Sequence, residues 1–435
     1  MCEVSIMTPK GILKNKLYHS LRGVGCTATR RSLTLNVAVS AVPARFVVTR
    51  HAMKNLSRRE FLRKASAATI GTAGALTLGP QSAGGMVSNA TVPAVDEYLR
   101  GGMLYRRVGH TDLYTSVLGF GAHTDPLEKK RASRGYQLNA EGQSRRDRIT
   151  ARCLDLGVNF MDVYHYEGQY EPMARIAKGQ RGRVLISLKH DAPGHWEQVI
   201  DDRARLFGGY VDFYRFSVHR VGEGEHYTED GLLERWDVLR RAKQAGKIRA
   251  IGISSHGPDV MKWILENLEG LDYILFPYNF IHAKANYAEF LPLAIKKGVG
   301  LLAIKPLAAG SIVKLDSRPT PGSTPEQDPD QRRYSGKAIP REVFGKLTES
   351  LKRLSDETLC QAAMRFVYSR RFISCALPGM FQEHELTDNH AAMQRQLKVG
   401  AVENEALDCA RRVACASRGK WLPEHYRWLD RHWQA

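Results

Sequence analysis

Short apolar runs alternate with amphipathic segments along most of the chain. The runs are VLGFG (117–121), NFMDVY (159–164), VLISLKH (184–190), VDFYRFSVH (211–219), IRAIGISSH (248–256), YILFPYN (273–279), GLLAIKPL (300–307) and FISCALPG (372–379). Each is continuous rather than alternating, as expected of strands buried on both faces. Between them, SRRDRITARCLDLG (144–157) and GLLERWDVLRRAKQAG (231–246) space apolar residues by three and four and end at glycine, the mark of amphipathic helices. Eight such βα units predict an α/β fold, a closed (β/α)8 TIM barrel rather than an open doubly wound sheet. The open sheet also lacks its signature, since GFGAHT stands where GxGxxG would follow the first strand. MLYRRVG (103–109) and DLYTSV (112–117) predict an N-terminal β-hairpin closing the barrel floor. Residues 401–435 read as a helical tail, with Trp421, Tyr426, Trp428 and Trp433 packing on the barrel. A Pro/Gly/Asp-rich insertion at 315–341 falls between strands 7 and 8, as either a lid or a disordered excursion.

Charge alters this picture mainly at the N-terminus. The 435 residues carry a formal +19; residues 1–64 hold 13 Lys/Arg against 2 Asp/Glu and so supply +11 of it. Residues 65–90 carry no charge, which leaves +8 for everything from Thr91 onward. Nucleic-acid binding, which needs a basic stripe on the folded body, is therefore not indicated. The high charge belongs to a leader. Residues 53–64, MKNLSRREFLRK, place Arg58 and Arg59 before Phe61-Leu62, and the mild apolar run ASAATIGTAGALTLG (65–79) follows. This order resembles a twin-arginine export signal, 53–90, ending at a small-x-small site, Ser88-Asn89-Ala90. It implies the twin-arginine export machinery as a partner and a periplasmic location, or a membrane tether if the signal stays uncleaved. The rival reading is a basic loop followed by a buried helix. The run is too short and glycine-rich for a stable membrane span. Residues 1–52 read as an unstructured extension, with Met53 as an alternative start and a mitochondrial-type presequence as the other possibility.

The chemistry gathers at strand ends. In such barrels the C-terminal ends of the strands carry the active site, and here strands 2, 3 and 4 end near Asp162, Lys189 and His219. An isolated histidine or lysine on an apolar strand is usually structural, but three such groups on neighbouring strands suggest proton supply to a carbonyl. A hydride arriving at carbon leaves an alkoxide that needs a proton. Tyrosine, with a pKa near 10, is too weak an acid unless a nearby ammonium stabilises its phenolate. On this reading a buried carboxylate keeps the lysine charged and the histidine orients the carbonyl oxygen. No HExxH or comparable metal-binding spacing is present, so no metal is expected. Of the seven cysteines, Cys153, Cys360, Cys375, Cys409 and Cys415 follow residue 90, without a CxxC pair, and read as buried thiols.

From about 103 to 395 the chain resembles the aldo-keto reductase superfamily. Besides Asp162, Lys189 and His219, the segments GKIRAIGISSH (246–256), FPYN (276–279), IKPLAAG (304–310) and LPGMFQEHELTDN (377–389) occur in the family's order. The resemblance implies a barrel spanning 91–400 that binds NADP or NAD extended across its mouth and interconverts a small carbonyl and an alcohol. It implies that Ser254 holds the nicotinamide carboxamide beside Ser255. Asn279 ends strand 6, and Lys305, Pro306 and Leu307 line the pyrophosphate. Gly379 leads to Asp388 and Asn389 at the adenine. An exported enzyme of this kind has to take up its cofactor before crossing, which suits a route that carries folded proteins.

The chain also departs from the family pattern. Counted without gaps, the proton-donating tyrosine falls on Glu167, and Tyr166 stands one place early. Tyr166 is the favoured acid and Glu167 the alternative; Tyr164 is expected to point elsewhere if 162–164 stay extended, and Tyr170 to belong to the next helix. Ser255 replaces the usual asparagine, Leu275 the strand-6 glutamine and Ile304 the stacking aromatic. Glu385 stands where relatives place an arginine for the 2′-phosphate, which predicts weak preference for NADP. A nucleotide-binding barrel with weakened catalysis, acting as a sensing or partner module, is the alternative reading.

Overall fold

The computed structural model describes residues 96–121, 125–131, 136–164, 167–190, 195–225, 227–280, 289–313 and 357–395, with His123, Glu405 and five short strands between Ser5 and Thr49. The twin-arginine segment 53–90, Tyr166, the insertion at 315–341 and, apart from Glu405, the 401–435 tail lie outside the described residues. The chain divides into two compact units, Met1–Ser82 and Ala83–Ala435. In the first, strands Ser5–Thr8, Gly11–Lys14, Gly25–Ala28, Ser32–Val37 and Ala44–Thr49 form one antiparallel sheet, where the sequence reading expects an extension without structure. SLTLNV alternates with period two and ARFVVT is rich in β-branched and aromatic residues, both compatible with strands.

The second unit is the barrel. Its strands are β1 (Phe120–Gly121), β2 (Phe160–Tyr164), β3 (Leu185–Lys189), β4 (Val211–Ser217), β5 (Ile248–Ser254), β6 (Tyr273–Pro277), β7 (Gly300–Ile304) and β8 (Ile373–Leu377). They pair parallel in chain order. Parallel bridges Leu118–Ala376 and Gly121–Gly379 join the first strand to the last. The amide of Ala376 donates to the carbonyl of Val117 at 2.8 Å and that of Gly121 to Pro378 at 3.0 Å, so the barrel closes. All eight apolar runs of the sequence thus become staves.

The helices between them are α1 (Ala140–Asp155), α2 (Tyr170–Ala177), α3 (Trp196–Leu206), α4 (Glu229–Gln244), α5 (Pro258–Asn267), α6 (Phe290–Lys296), α7 (Leu359–Tyr368) and α8 (Glu383–Gln394). Their starts are set by side chains. The oxygens of Asn139 and Thr228 accept from the amides of Gly142 and Gly231, and Thr358 forms a capping box with Gln361. Helices α1 and α4 stop at Gly157 and Gly246, whose φ of 85° and 74° only glycine adopts without cost.

The predicted hairpin forms from Met103–Arg107 and Tyr114–Ser116, with Glu97–Arg100 as a third strand. Val108 and Leu113 beside its turn join the barrel-interior cluster of Phe160, Phe213, Ala250, Tyr273, Leu275, Leu302, Cys375 and Leu377, closing the floor. Arg106 fastens the hairpin by donating to the carbonyls of Arg370 at 3.2 Å and Ile373 at 3.0 Å. Asp212 and Asp272 tie strand starts together. Asp212 accepts from the amide of Ile186 and pairs with Arg181 and Arg249; Asp272 accepts from the amide of Ile251 and pairs with Lys243. Charge at this end of a barrel supports stability, leaving the other end for chemistry.

One glycine is demanded by the packing above the floor. A Cβ at Gly252 on β5 would come within 2.5 Å of the Tyr273 ring, which lies across it. Overpacking of this kind costs about 1–3 kcal/mol. Gly252→Ala should therefore lower the unfolding free energy by about 1–3 kcal/mol, read as a lower denaturant midpoint at the wild-type slope.

Candidate active site

Register sets the depth of each candidate. Asp162 is opposite Ser187, Lys189 opposite Arg215, Arg215 opposite Gly252, and Gly252 opposite Tyr273. Phe160 and Phe213 are interior residues, so with a two-residue period Asp162 and Arg215 point inward above them. They meet there. Arg215 Nη2 donates to Asp162 Oδ2 at 2.9 Å, Arg215 Nη1 donates to Ser187 Oγ at 2.7 Å, and Ser187 Oγ donates to Asp162 Oδ1 at 2.9 Å. The guanidinium is wholly buried. Burial works against its charge, but Asp162 and the phenol oxygens of Tyr273 and Tyr164 outweigh it and hold the group protonated. Burial also pushes the Tyr273 phenol up, out of reach of ordinary acid–base work.

This arrangement corrects two expectations. The sequence reading has Asp162 keeping Lys189 charged; among the described residues, Asp162's ion pair is instead with Arg215. It also has Tyr164 pointing away. The pairing of β2 with β3 slips between Asp162 and Tyr164, and Tyr164 takes the left-handed φ of 61°. Its ring is turned so that the centroid lies 5.0 Å from Lys189 Nζ and 5.6 Å from the Arg215 guanidinium carbon, with the His123 ring at 5.4 Å. The extended backbone assumed from the sequence ends one residue early. Left-handed backbone at a side chain this large costs about 1–3 kcal/mol, a strain found most often at functional sites. Tyr170, on α2 as expected, secures the turn by donating from its hydroxyl to the Tyr164 carbonyl at 3.1 Å.

Lys189 is buried at the end of β3. His219, expected at a matching depth, lies two residues beyond β4 and four beyond the register partner of Lys189, where it is exposed. Its ring lies face to face with that of His256, centroids 5.9 Å apart. Glu167, the alternative acid, is partly exposed and faces the Arg203 guanidinium at 3.5 Å. Arg203 in turn donates to the Tyr214 hydroxyl at 2.7 Å, and that hydroxyl bonds His190 Nδ1 at 2.7 Å. Glu167 is thus tied to α3 and the outer side of β3 and β4. Tyr214 is pushed up to about 12, chiefly by burial.

Of the residues assigned to a cofactor, Ser254, Ser255, Asn279, Lys305, Pro306 and Leu307 lie at the ends of β5, β6 and β7. Ser254 closes β5 and is buried, and Ser255 follows, wholly buried, its amide donating to the Leu275 carbonyl at 3.0 Å. Asn279 donates to the Lys305 carbonyl at 2.9 Å. Lys305 (φ 56°), Ala308 (φ 49°) and Ala309 (φ 58°) put three left-handed non-glycine residues into the turn that also holds Pro306 and Leu307. Such concentrated strain marks a loop shaped for contact rather than for its own stability. Lys305 Nζ touches His256 Nε2, and burial pushes the amine down to about 7. Gly379 follows β8, paired with Gly121. On α8, Asp388 accepts from Gln361 at 3.5 Å, and buried Asn389 lends its carbonyl to the Tyr368 hydroxyl at 3.2 Å. Glu385 caps this helix: its carboxylate accepts from the amide of Gln382 at 2.8 Å, so the charge expected to repel a phosphate is engaged with the helix start.

The Ser255 and Ser311 hydroxyls are buried at the mouth without a hydrogen-bond partner among the described residues. Dry, unpaired hydroxyls of this kind fit a polar ligand group that completes them, and Lys305 fits an anionic one. The residues missed in the sequence are Ser187, Arg215, His256 and Tyr273. A single arginine inside the apolar run FYRFS was the available signal.

These features define a closed (β/α)8 barrel with ionisable side chains gathered at one end. A family model, the aldo/keto reductase family, matches residues 135–404, and the chain belongs to that family, whose members typically bind NAD(P)H. L-galactose dehydrogenase of Arabidopsis thaliana is 23% identical over 321 residues, covering 69% of this chain and 91% of that protein. L-glyceraldehyde 3-phosphate reductase of Escherichia coli strain K12 is 24% identical over 333 residues, covering 67% and 88%. A probable voltage-gated potassium channel subunit beta of Arabidopsis thaliana is 24% identical over 322 residues, covering 67% and 91%. Among solved structures, the holo form of an aldo-keto reductase from Bacillus halodurans superposes with a TM-score of 0.51 at 22% identity, over 74% of this chain and 99% of that one, a likeness of fold.

Lys305 carries a pH prediction. Its pKa falls from 10.5 in the unfolded chain to about 7 in the fold, so between those values only the unfolded chain holds the proton. The stability lost to this is greatest at and below pH 7 and is regained as pH rises toward 10.5. Lys305→Met should melt above wild type at pH 7, with the gap closing as melting curves are taken at pH 8, 9 and 10.

Proposed function

We propose that the protein is an NAD(P)H-dependent oxidoreductase that interconverts an aldehyde or ketone, including open-chain sugars, and the corresponding alcohol. The observation that carries this reading is the meeting of Asp162, Arg215, Lys189 and the Tyr164 ring at the C-terminal mouth of the barrel. A reduced nicotinamide, when bound, supplies the hydride. Ser254, Ser255 and Asn279 would hold it, with Lys305, Pro306 and Leu307 along the pyrophosphate and Gly379, Asp388 and Asn389 toward the adenine. Lys189 lowers the cost of phenolate formation, so that a neighbouring tyrosine releases a proton to the carbonyl oxygen as negative charge develops there. His219 donates a hydrogen bond to that oxygen from the rim. Two phenols compete for the proton role. Tyr166 stands nearest the family position in sequence, whereas Tyr164 has its ring against the ammonium. Glu167 is the weaker candidate because Arg203 engages it.

The rival reading, a nucleotide-binding module with little catalysis, is favoured by the shifted tyrosine and by similarity to a protein described as a channel subunit. Purified protein separates the two: quenching of reduced-cofactor fluorescence with turnover on a carbonyl panel supports the enzyme, and quenching without turnover supports the module. Among active variants, the Phe replacement of the true donor, Tyr164 or Tyr166, should lose orders of magnitude in kcat, while Glu167→Gln loses little. A large loss at Glu167 alone would transfer the role to it. Titrating NADH and NADPH in the same assay tests weak NADP preference, which tighter NADPH binding would contradict.

Export by the twin-arginine route completes the proposal, supported by Arg58-Arg59 and the uncharged run after them. Replacing both arginines with lysine should retain the folded protein in the cytoplasm, as read by cell fractionation. An unchanged distribution would remove the export reading.

A further inference from the structure

The interior holds one charge that the reaction above does not require, Arg215. The geometry points to Arg215 as a positioning residue that engages and cancels Asp162, so that the Lys189 ammonium acts on the proton donor without Asp162 offsetting it. This rests on the reductase reading and adds to it a group that tunes the acid.

Both carboxylate oxygens of Asp162 are committed, Oδ2 to Arg215 and Oδ1 to Ser187, and Ser187 also accepts from Arg215. The three groups close a ring of charge-assisted hydrogen bonds whose two donors from one plane match the fixed fork of a guanidinium. Packing holds it in place. The absence of a Cβ at Gly252 lets the Tyr273 ring lie against β5, beside Arg215. Above, the Tyr164 ring lies within cation–π distance of both Arg215 and Lys189. The titratable groups around the guanidinium, element by element among the described residues, are Asp162 and Tyr164 on β2, Lys189 on β3, Tyr273 on β6 and Cys375 on β8, the last sensing Asp162. Burial holds Tyr273 and Cys375 in their neutral forms, so neither takes part near neutral pH. Arg215 and Asp162 therefore act as a neutral unit, and removing either one alone puts a full charge beside the donor.

The test is the upper pH limb of kcat/KM for carbonyl reduction, which reports loss of the donor's proton. A unit charge about 6 Å away in an effective dielectric near 20 moves that limb by about one to two pH units. Arg215→Met should raise the limb by that amount, Asp162→Asn should lower it, and the double variant should return it close to wild type. Arg215→Lys, which keeps the charge, should leave the limb in place even if turnover falls. A limb that stays put in both single variants, or a double variant displaced by a unit or more, overturns the inference. If Arg215→Met does not fold, the double variant and Asp162→Asn carry the test, because removing a buried pair as a unit is tolerated better than removing one partner. If wild type turns over no carbonyl, the reductase reading fails separately. The same order of shifts is then sought in the pH titration of the tyrosinate absorbance that Tyr164→Phe or Tyr166→Phe removes.

Discussion

A guanidinium with no exposure to solvent sits inside a parallel barrel, made tolerable by acceptors for both of its Nη atoms, while its Nε has no hydrogen-bond partner among the described residues. Isolated, such a charge would cost many kilocalories. Here Asp162 and Ser187 supply acceptors at hydrogen-bond distance, so the burial penalty falls on a closed pair. Breaking one side of such a pair typically costs about 3–5 kcal/mol. The glycine at 252, the phenol of Tyr273 and the turned backbone at Tyr164 follow from the same constraint, since each makes room for the pair or covers it. The site is therefore anchored from below, by buried groups.

Chemistry is laid over this base in two layers. Nearest the pair are Lys189 and the Tyr164 ring, an ammonium and a phenol from adjacent staves. Further out, at the ends of β4, β5 and β7, lie His219, His256 and Lys305, with buried serine hydroxyls between strands. The inner layer suits proton supply and the outer one suits holding a polar, anionic ligand across the mouth. Glu167 belongs to neither. Through Arg203 and Tyr214 it fastens the β2 loop to α3, which accounts for a carboxylate at a place where the family pattern leads one to expect a phenol.

The fold was legible because its signal is repeated. Eight apolar runs alternating with amphipathic segments leave little choice of architecture, and the hairpin that plugs the floor announces itself by its turn. The site was legible only in part. Asp162 and Lys189 stand out as charges in or at the end of apolar runs, and both are buried on neighbouring strands. Their pairing was not legible, because which cation reaches a carboxylate depends on register between strands rather than on position within one. Arg215 is level with Lys189 only through the β3–β4 pairing, and His219, equally conspicuous in the sequence, ends four residues higher. Tyr164 was misjudged for a different reason. Its orientation depends on a single left-handed residue, and no glycine or asparagine signals that turn.

The central claim is a choice of partner for one carboxylate, and a crystal structure of the protein with reduced cofactor and a carbonyl analogue would test it most directly. Both Asp162 oxygens should then lie about 3 Å from Arg215 and Ser187, with Lys189 turned toward a tyrosine hydroxyl that faces the analogue's oxygen. Asp162 paired with Lys189, with Arg215 swung out of the barrel interior, would contradict it.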